Sequence, residues 1–346
     1  MQKLDRHTEA IHTLMLTPDS RNMISGSFDN TLRIWDLESG VCNRVLKGRA
    51  GYYGDDSLAL TADGKYAIWA KRRESNAQTV LQVWEIATGI VLRPIDTFPD
   101  DWDPFAITPD GKYAVLAALI ARSKGWDAPV HVWDLQLGIC RYLLHGHTGR
   151  VNALAITADG KRAVSASVDK TIRVWSLESG SCLQILLGHT GPVETLALTA
   201  DERYVVSGSV DNTLRIWDIE TGTCLRQIQG PIGWVNALAV SKDGRRAVSR
   251  SGNTLQIWDL EKGILLHSLK VDAGELRTLA ITPNSQRVVS SSRKGLLVWD
   301  LESGICVAGW SEGTHISVLI LVSDDRIVAG DEAGLVYFLR LMEDQP

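Results

Sequence analysis

The stretch that decides the fold reads VETLALT at residues 193–199, YVVSGS at residues 204–209, TLRIWD at residues 213–218 and CLRQI at residues 224–228. All four segments are short, rich in β-branched residues and partly alternating, and turn residues separate them. These features are typical of β-strands and not of helices. The stretch therefore predicts a unit of four strands.

The same unit recurs along the chain, marked by an apolar residue, any residue, an apolar residue and then a tryptophan. The pattern ends at Trp35, Trp84, Trp133, Trp175, Trp217, Trp258 and Trp299. Successive tryptophans are 49, 49, 42, 42, 41 and 41 residues apart. A period of this length indicates units that cannot bury their own faces and must stack on their neighbours. We therefore expect residues 1–346 to form a single all-β domain.

The turns of the units repeat on one face of the predicted molecule. The turn between the first and second strands reads TADG, TPDG or a relative at residues 61–64, 108–111, 157–160 and 282–285. The turn between the third and fourth strands is ESG or similar at residues 38–40, 87–89, 178–180, 220–222 and 302–304. Because that face is standardised, we expect function on the opposite face, where the loops vary.

The units resemble the WD40 family of β-propellers, on the strength of Gly188 and His189 before the first strand and of Trp217 and Asp218 at the end of the third. The resemblance covers nearly the whole chain, and its regular repeats are similar to those of bacterial members. It implies hydrogen-bonded sets inside the blades, structural and not catalytic. These sets are His7, Ser25, Asp29 and Trp35; His147, Ser165, Asp169 and Trp175; and His189, Ser207, Asp211 and Trp217.

Other units depart from this pattern. Pro231 replaces the His of the sixth unit, Arg293 replaces the Asp of the seventh, and the second unit has no His at the corresponding place. We expect apolar packing to hold those blades. An eighth copy, with Phe338 in the Trp position, lacks a fourth strand.

The unit count predicts an eight-bladed propeller, closed by an N-terminal strand that pairs onto the last blade. The alternative is seven blades with a decorated end. The predicted units are residues 7–46, 52–95, 102–144, 147–186, 189–228, 231–269, 272–310 and 312–341, with residues 1–6 completing the last. Closure would remove the exposed strand edges of an open array.

Composition indicates a cytoplasmic, monomeric propeller. Apolar residues make up 45% of 346 positions, which can build a continuous core between blades. No apolar run approaches the ~18 residues of a membrane span, and the first residues have no apolar signal-peptide core. The net charge of −5 argues against nucleic acid as the partner.

A search for catalytic and metal-binding motifs finds none, so we expect neither an enzyme nor a cofactor, metal or small-molecule substrate. Phosphate-binding loops and the Gly-x-Ser-x-Gly elbow are absent. The spacing of His7, Glu9 and His12 is wrong for a zinc protease. All five cysteines occupy one equivalent site in different units, which predicts small buried residues and not disulfides.

Candidate partner-binding residues come from the variable face and from the mouth of the predicted channel. The second and third units carry extra length at residues 71–77 and 121–127, which we interpret as long loops between the second and third strands. Arginine and aromatic side chains most often anchor interfaces. The candidates are Arg49, Tyr52, Tyr53, Arg72, Arg73, Trp102, Arg122, Lys124, Trp126, Arg150, Trp234, Arg250, Arg277 and His315.

The sequence therefore predicts an interaction scaffold or sensor module for a protein or peptide. Its regular units are similar to propellers that bacteria attach to signalling ATPases and kinases. A basic cluster in the second to fourth units favours an anionic ligand, a phosphopeptide or nucleic acid, as the alternative. Nearby aspartates could instead neutralise that cluster. The cluster comprises Lys71, Arg72, Arg73, Arg122, Lys124 and Arg150; the aspartates are Asp55, Asp56, Asp100, Asp101 and Asp103.

Overall fold

Antiparallel β-sheets account for all the regular structure in the part of the chain that is described. A computed structural model describes residues 6–47, 57–72, 79–96, 104–117, 120–122, 125–230, 235, 237–271, 276–311 and 315–342. Eight separate sheets of three or four strands follow one another along the chain, each a blade.

Blades 1 to 4 contain the following strands. They are β1 Ile11–Leu16, β2 Asn22–Ser27, β3 Thr31–Asp36 and β4 Cys42–Lys47 in blade 1; β5 Ser57–Leu60, β6 Tyr66–Arg72, β7 Thr79–Glu85 and β8 Ile90–Asp96 in blade 2; β9 Phe105–Ile107, β10 Tyr113–Ala117, β13 Val130–Asp134 and β14 Ile139–Leu144 in blade 3, with the extra hairpin β11 Ile120–Arg122 and β12 Gly125–Asp127; and β15 Val151–Ile156, β16 Arg162–Ser167, β17 Ile172–Ser176 and β18 Cys182–Leu186 in blade 4.

Blades 5 to 8 repeat this order. They contain β19 Val193–Leu198, β20 Tyr204–Ser209, β21 Thr213–Asp218 and β22 Cys224–Gln229 in blade 5; β23 Ala237–Val240, β24 Arg246–Ser251, β25 Thr254–Asp259 and β26 Ile264–Lys270 in blade 6; β27 Leu276–Ile281, β28 Arg287–Ser292, β29 Gly295–Asp300 and β30 Cys306–Trp310 in blade 7; and β31 Ile316–Leu321, β32 Arg326–Asp331 and β33 Val336–Arg340 in blade 8.

The first strands of the blades form the inner ring of the molecule. Each contacts the first strand of the next blade, from β1 through β5, β9, β15, β19, β23 and β27 to β31, and β31 contacts β1. The chain is therefore a closed β-propeller of eight blades, as the unit count predicted, and the alternative of seven blades is wrong.

The hydrophobic core lies between blades and not within them. One apolar cluster fills each junction of neighbouring blades. Between blades 4 and 5, Ile172 and Val193 pack with Trp217, and all three are fully buried. Between blades 8 and 1, Val328 packs with Trp35. Each large apolar side chain contributes about 1.5–3 kcal/mol on burial, so the apolar clusters at these junctions stabilise the association of neighbouring blades.

The junction of blades 8 and 1 also carries hydrogen bonds. The His7 amide donates to the Gly334 carbonyl over 3.1 Å. The Ser317 hydroxyl donates to the Ile11 carbonyl. The predicted closing strand falls on residues 1–6, of which residues 1–5 lie outside the described part of the chain, so its pairing stays a prediction.

A register shift precedes the repeated tryptophan in each of the first seven blades, as between Ile216 and Trp217 against β22. Such a bulge bends the strand locally and redirects the next side chain. Its repetition places the tryptophan of each of these seven blades at the same point of the third strand.

The extra length of the second and third units is not purely loop. In blade 2, residues 71–72 extend β6, and in blade 3 residues 125–127 form β12, which pairs with β11. The interpretation of 71–77 and 121–127 as loops was therefore wrong in part. Backbone groups of adjacent antiparallel segments satisfy one another, so a hairpin extends where the chain allows it.

Candidate interaction face

The polar groups at the channel mouth lie at the starts of the inner strands, which the ring of first strands holds in place. The Asn152 amide, on β15, donates to the Val193 carbonyl over 3.1 Å and to Glu194 Oε2 over 3.2 Å. These bonds join blade 4 to blade 5 at the mouth. Burial raises the pKa of the Glu194 carboxyl, although the positive charge of Arg150 acts in the opposite direction. Arg150 itself is exposed.

A second charged cluster lies across the mouth, on blades 7 and 8. Glu332 accepts from Arg277 Nη2 at 2.6 Å and lies 3.0 Å from His315 Nδ1. Burial alone would raise the pKa of Glu332, but the His315 hydrogen bond and the Arg277 charge outweigh it and hold the pKa below its usual range. The His315 and Glu332 side chains are 48% and 42% exposed, so both can reach a partner.

Arg250, another candidate contact residue, bridges blades 6 and 7. Its guanidinium donates to the carbonyl oxygens of Leu276 and Arg277, the latter at 3.0 Å. The side chain is half-buried and braces β24 of blade 6 against β27 of blade 7. We infer that Arg250 orients Arg277.

The structure tests the placement of only some candidates from the sequence. Arg150, Arg277 and His315 are at the mouth, and Arg250 supports it. Arg72, Arg122 and Trp126 lie on β6, β11 and β12, but their side chains fall outside what is described. Seven further candidates lie wholly outside the described residues: Arg49, Tyr52, Tyr53, Arg73, Trp102, Lys124 and Trp234. The basic cluster of blades 2 to 4 therefore stays a prediction.

Sequence reasoning missed Glu332, which joins Arg277 to His315. It lies in the turn after β32, outside the first-strand positions that were used to locate the mouth. The sequence did carry a signal for Glu332: an acidic residue in the turn between the second and third strands, close to the start of a first strand.

Buried His, Asp, Ser and Trp residues form one hydrogen-bonded chain inside each of blades 1, 4 and 5. His Nδ1 lies 2.7–2.9 Å from the Asp carboxylate, and His Nε2 lies 2.7–2.8 Å from the Ser hydroxyl. Trp Nε1 donates to the same hydroxyl over 2.7–2.8 Å. With the indole N–H as its donor, the hydroxyl can donate to Nε2 while Nδ1–H donates to the carboxylate, which is the hydrogen-bond pattern of one neutral tautomer. The sets are those of His7, His147 and His189.

In each set Ser, His and Asp are linked in the same order as in a nucleophilic triad. The serine of these sets, however, is not accessible to a substrate. Ser165 is 0% exposed and His147 1% exposed, and the tryptophan N–H occupies an acceptor position of the hydroxyl. A nucleophile needs an open path to its substrate, which this hydroxyl lacks. We infer that these groups stabilise the blades.

Blades 6 and 7 retain part of this chain. Trp258 Nε1 donates to Ser249 over 2.9 Å, and Trp299 Nε1 donates to Ser290 over 3.0 Å. The expectation that apolar packing holds these blades was therefore incomplete. Although the His and Asp of the set are absent from blades 6 and 7, the serine still accepts a hydrogen bond from the tryptophan Nε1–H. In blade 2 the buried Trp69 takes the place of the serine.

Stability is expected to fall in acid because of these sets. Burial lowers the pKa of His7 and of His189, only partly offset by their aspartate partners. Burial would raise the pKa of Asp211, but hydrogen bonds from Thr213, Thr190 and His189 outweigh it and lower the pKa to about 2. Both shifts mean that the unfolded chain binds more protons, so stability decreases as pH falls.

Urea unfolding at pH 8, 6, 4.5 and 3 tests this expectation. The histidine contribution is lost as pH falls below about 6.5 and the aspartate contribution as pH falls below about 4, with roughly 1 kcal/mol lost from Asp211 alone by pH 3. The variant Asp211→Asn should lose less stability than the wild type as pH falls below 4. A stability maximum near pH 4 would contradict the assignment.

The five cysteines lie on the outer strands and are not buried as predicted. Cys182, Cys224 and Cys306 are exposed, Cys42 and Cys140 are half-buried, and all are free thiols. The fourth strand of a blade lies on the perimeter of the ring, so only part of its side chains meets a neighbouring blade. Each thiol donates to the carbonyl two residues later at 3.4–3.5 Å.

The described residues contain neither a cluster of metal ligands nor a membrane-spanning helix. No three or more His, Cys, Asp or Glu side chains there are grouped so as to hold a metal ion. Nor does that part of the chain contain a helix with the length and hydropathy needed to cross a membrane.

Part of the chain matches a known family of repeats. Residues 1–36, 138–176, 180–218 and 222–259 match the WD40 family, described as "WD domain, G-beta repeat". The crystal structure of the computationally designed Ika8 protein superposes with a TM-score of 0.77 and 25% identity over 98% of both chains.

Curated relatives share single stretches of about half this chain. Nuclear distribution protein nudF of Emericella nidulans is 26% identical over 187 residues, 50% of this chain and 40% of that protein. Small ribosomal subunit protein RACK1 of Caenorhabditis elegans is 28% identical over 172 residues, 49% of each. Guanine nucleotide-binding protein subunit beta of Oryza sativa subsp. japonica is 30% identical over 175 residues, 48% of this chain and 43% of that protein. The chain thus spans 40–49% of the length of these relatives.

Proposed function

We propose that this chain, a β-propeller of WD40 repeats, is a protein-interaction scaffold that binds a protein or peptide partner at the channel mouth and on the surrounding loop-rich face. The observation that carries the proposal is the mixed-charge mouth. Asn152 and Glu194 on one side, and Arg277, Glu332 and His315 on the other, differ from blade to blade. They are nonetheless held by hydrogen bonds on a rigid ring, and a preorganised polar surface loses little entropy on binding.

The chemistry of the mouth suits a polypeptide better than a small substrate. Its groups can donate and accept several hydrogen bonds spread across at least four blades, and the sets that could have served as nucleophiles are buried. Electrostatic complementarity of this kind sets the register and specificity of a partner more than raw affinity. We extend the proposal to a regulatory module of a bacterial signalling system that acts as a cytoplasmic monomer. The relatives named above are eukaryotic, so the bacterial context rests on the regularity of the repeats alone.

The first test reverses one charge on each face of the same blade. Arg150→Glu alters the mouth, and Lys161→Glu makes the same change in the exposed turn between β15 and β16 at the opposite end. We expect Arg150→Glu to weaken binding of a purified partner about tenfold, which corresponds to about 1.4 kcal/mol, by calorimetric titration. The partner is first obtained by photocrosslinking from benzoylphenylalanine at position 152.

Lys161→Glu should leave the affinity unchanged. Equal losses in the two variants, or crosslinks that form from position 161 but not from position 152, would place the working surface elsewhere.

Salt dependence separates this proposal from the alternative of an anionic ligand on the basic cluster of blades 2 to 4. A protein held by a mixed-charge mouth should lose only a few-fold affinity between 50 and 200 mM salt. A nucleic acid that neutralises several phosphates would lose roughly a thousandfold or more over the same range. A steep slope for the verified partner would favour the alternative.

A further inference from the structure

A cavity of 470 Å³ lies between blades 5 and 6, lined by residues of the standardised turns and of the outer strand β22 and not by residues of the channel mouth. Val206, Ile216 and Leu260 form an apolar floor, and Leu225 lies at the rim with 54% of its surface exposed. The rim also carries Arg226 from β22 and Arg245 from the turn before β24. We call this cavity the lateral groove.

At four junctions, those of blades 1–2, 3–4, 4–5 and 6–7, a side chain of the outer strand fastens this region. The residue two positions after the cysteine site donates to a carbonyl in the third-to-fourth turn of the next blade. These bonds are Arg44 to Ile86 at 3.1 Å, Tyr142 to Glu178 at 2.6 Å, Gln184 to Glu220 at 2.9 Å and His267 to Glu302 at 2.7 Å. Each closes the outer edge of one junction.

Arg226 occupies the same position in blade 5, but it makes no such bond. Its side chain lies against Gly263 of the next turn, without a hydrogen bond or ion pair to any described residue. The turn of blade 6 is uncovered as well. A Cβ added at Gly244 would meet nothing within 4 Å, whereas one at the equivalent Gly64 would meet Pro18 of the preceding blade. Two independent features therefore leave this junction open.

The charges of the lateral groove are unevenly matched. Arg203 and Arg246, just outside, are paired with Asp218 and Asp259 at 3.5 and 2.7 Å. Neither Arg226 nor Arg245 forms a salt bridge with a described residue, although Arg245 lies next to the Asp243 carboxylate, which accepts its backbone N–H over 3.0 Å. Glu261 is the single carboxylate among the lining residues. Two exposed guanidinium groups thus flank an apolar floor. Such groups bind carboxylate and phosphate oxygens in a bidentate manner.

We propose that the lateral groove is a second binding site, for an extended peptide in which acidic residues flank a leucine- or phenylalanine-sized side chain. The apolar side chain fills the floor between Val206 and Leu260, and its acidic neighbours pair with Arg226 and Arg245. β22 is the outer strand of its sheet, so its backbone groups are available to an added strand. Main-chain pairing with side-chain pockets is an established mode of peptide recognition.

The test uses a fluorescein-labelled octapeptide library in which every member carries two Asp or Glu residues around one Leu or Phe. A matched library carries Asn or Gln instead, and inorganic phosphate alone is a third probe. By fluorescence polarisation, the full chain should bind the acidic library at least tenfold more tightly than the amide library. The double variant Arg226→Gln, Arg245→Gln should lose at least tenfold in affinity.

Matched variants make the result decisive. Arg21 is the counterpart of Arg245 in blade 1, and Arg21→Gln should bind the acidic library as the wild type does. Leu225→Asp should weaken binding by repulsion and loss of apolar contact. The proposal is overturned if the acidic library does not bind, if the amide library binds equally well, if phosphate alone competes fully, or if the double variant binds normally.

Discussion

Replacing Trp217 by alanine is expected to lower the free energy of unfolding by about 3–5 kcal/mol. The indole is fully buried in the junction of blades 4 and 5, against Ile172 and Val193. Its Nε1–H also donates to the Ser207 hydroxyl over 2.8 Å, so the substitution leaves both a cavity and a buried hydroxyl with one donor fewer. Urea unfolding followed by circular dichroism measures the loss.

A pair of tryptophan-to-phenylalanine substitutions separates the packing from the hydrogen bond. Trp84 holds the equivalent place in blade 2, but its buried Nε1 has no hydrogen-bond partner in the described structure. Trp217→Phe loses ring volume and a bond, and Trp84→Phe loses ring volume alone. We expect Trp217→Phe to cost about 1 kcal/mol more. Equal costs would mean that the bond to Ser207 contributes nothing to stability.

The blade count and the buried polar sets could be predicted from the sequence because both depend on residues that repeat in each unit. Every unit must present the same faces to its neighbours, so His147, Ser165, Asp169 and Trp175 reappear at fixed offsets in other blades. Constant offsets fix a shared geometry, and hydrogen bonding between the shared residues follows from it. The spacing of the units likewise predicted eight blades.

What the sequence could not predict depends on single junctions. Cys182 is exposed because it lies on the outermost strand of its blade, which has no further strand on its outer side. The sequence pattern of this strand resembles that of the inner strands and does not show the difference. Glu332 lies in a turn of blade 8 and acts only because Arg277 of blade 7 points toward it. The lateral groove arises from a bond that Arg226 does not make. None of these follows from a pattern along one unit, because each requires the relative position of two blades.

The second large effect is expected at the junction that closes the ring. Gly334 has φ +84, in the left-handed region, and a Cβ there would collide with the His7 carbonyl and lie 2.8 Å from the Glu9 carbonyl oxygen. Gly334→Ala therefore forces blades 8 and 1 apart and disturbs the bond from the His7 amide to the Gly334 carbonyl. We expect a loss of about 3 kcal/mol or more in urea unfolding, because backbone strain and backbone collision add.

Gly252 isolates the collision from the strain. It also has positive φ, +54, in the turn between β24 and β25, but a Cβ there would meet nothing within 4 Å. Gly252→Ala should thus cost only the backbone strain, about 1 kcal/mol. Because the Gly334–His7 contact lies where blade 8 meets blade 1, the extra loss at Gly334 should be accompanied by faster amide exchange in β1 and β31 than in the other inner strands. If the two alanine variants unfold at the same urea concentration and exchange alike, the contact between Gly334 and His7 does not secure the ring.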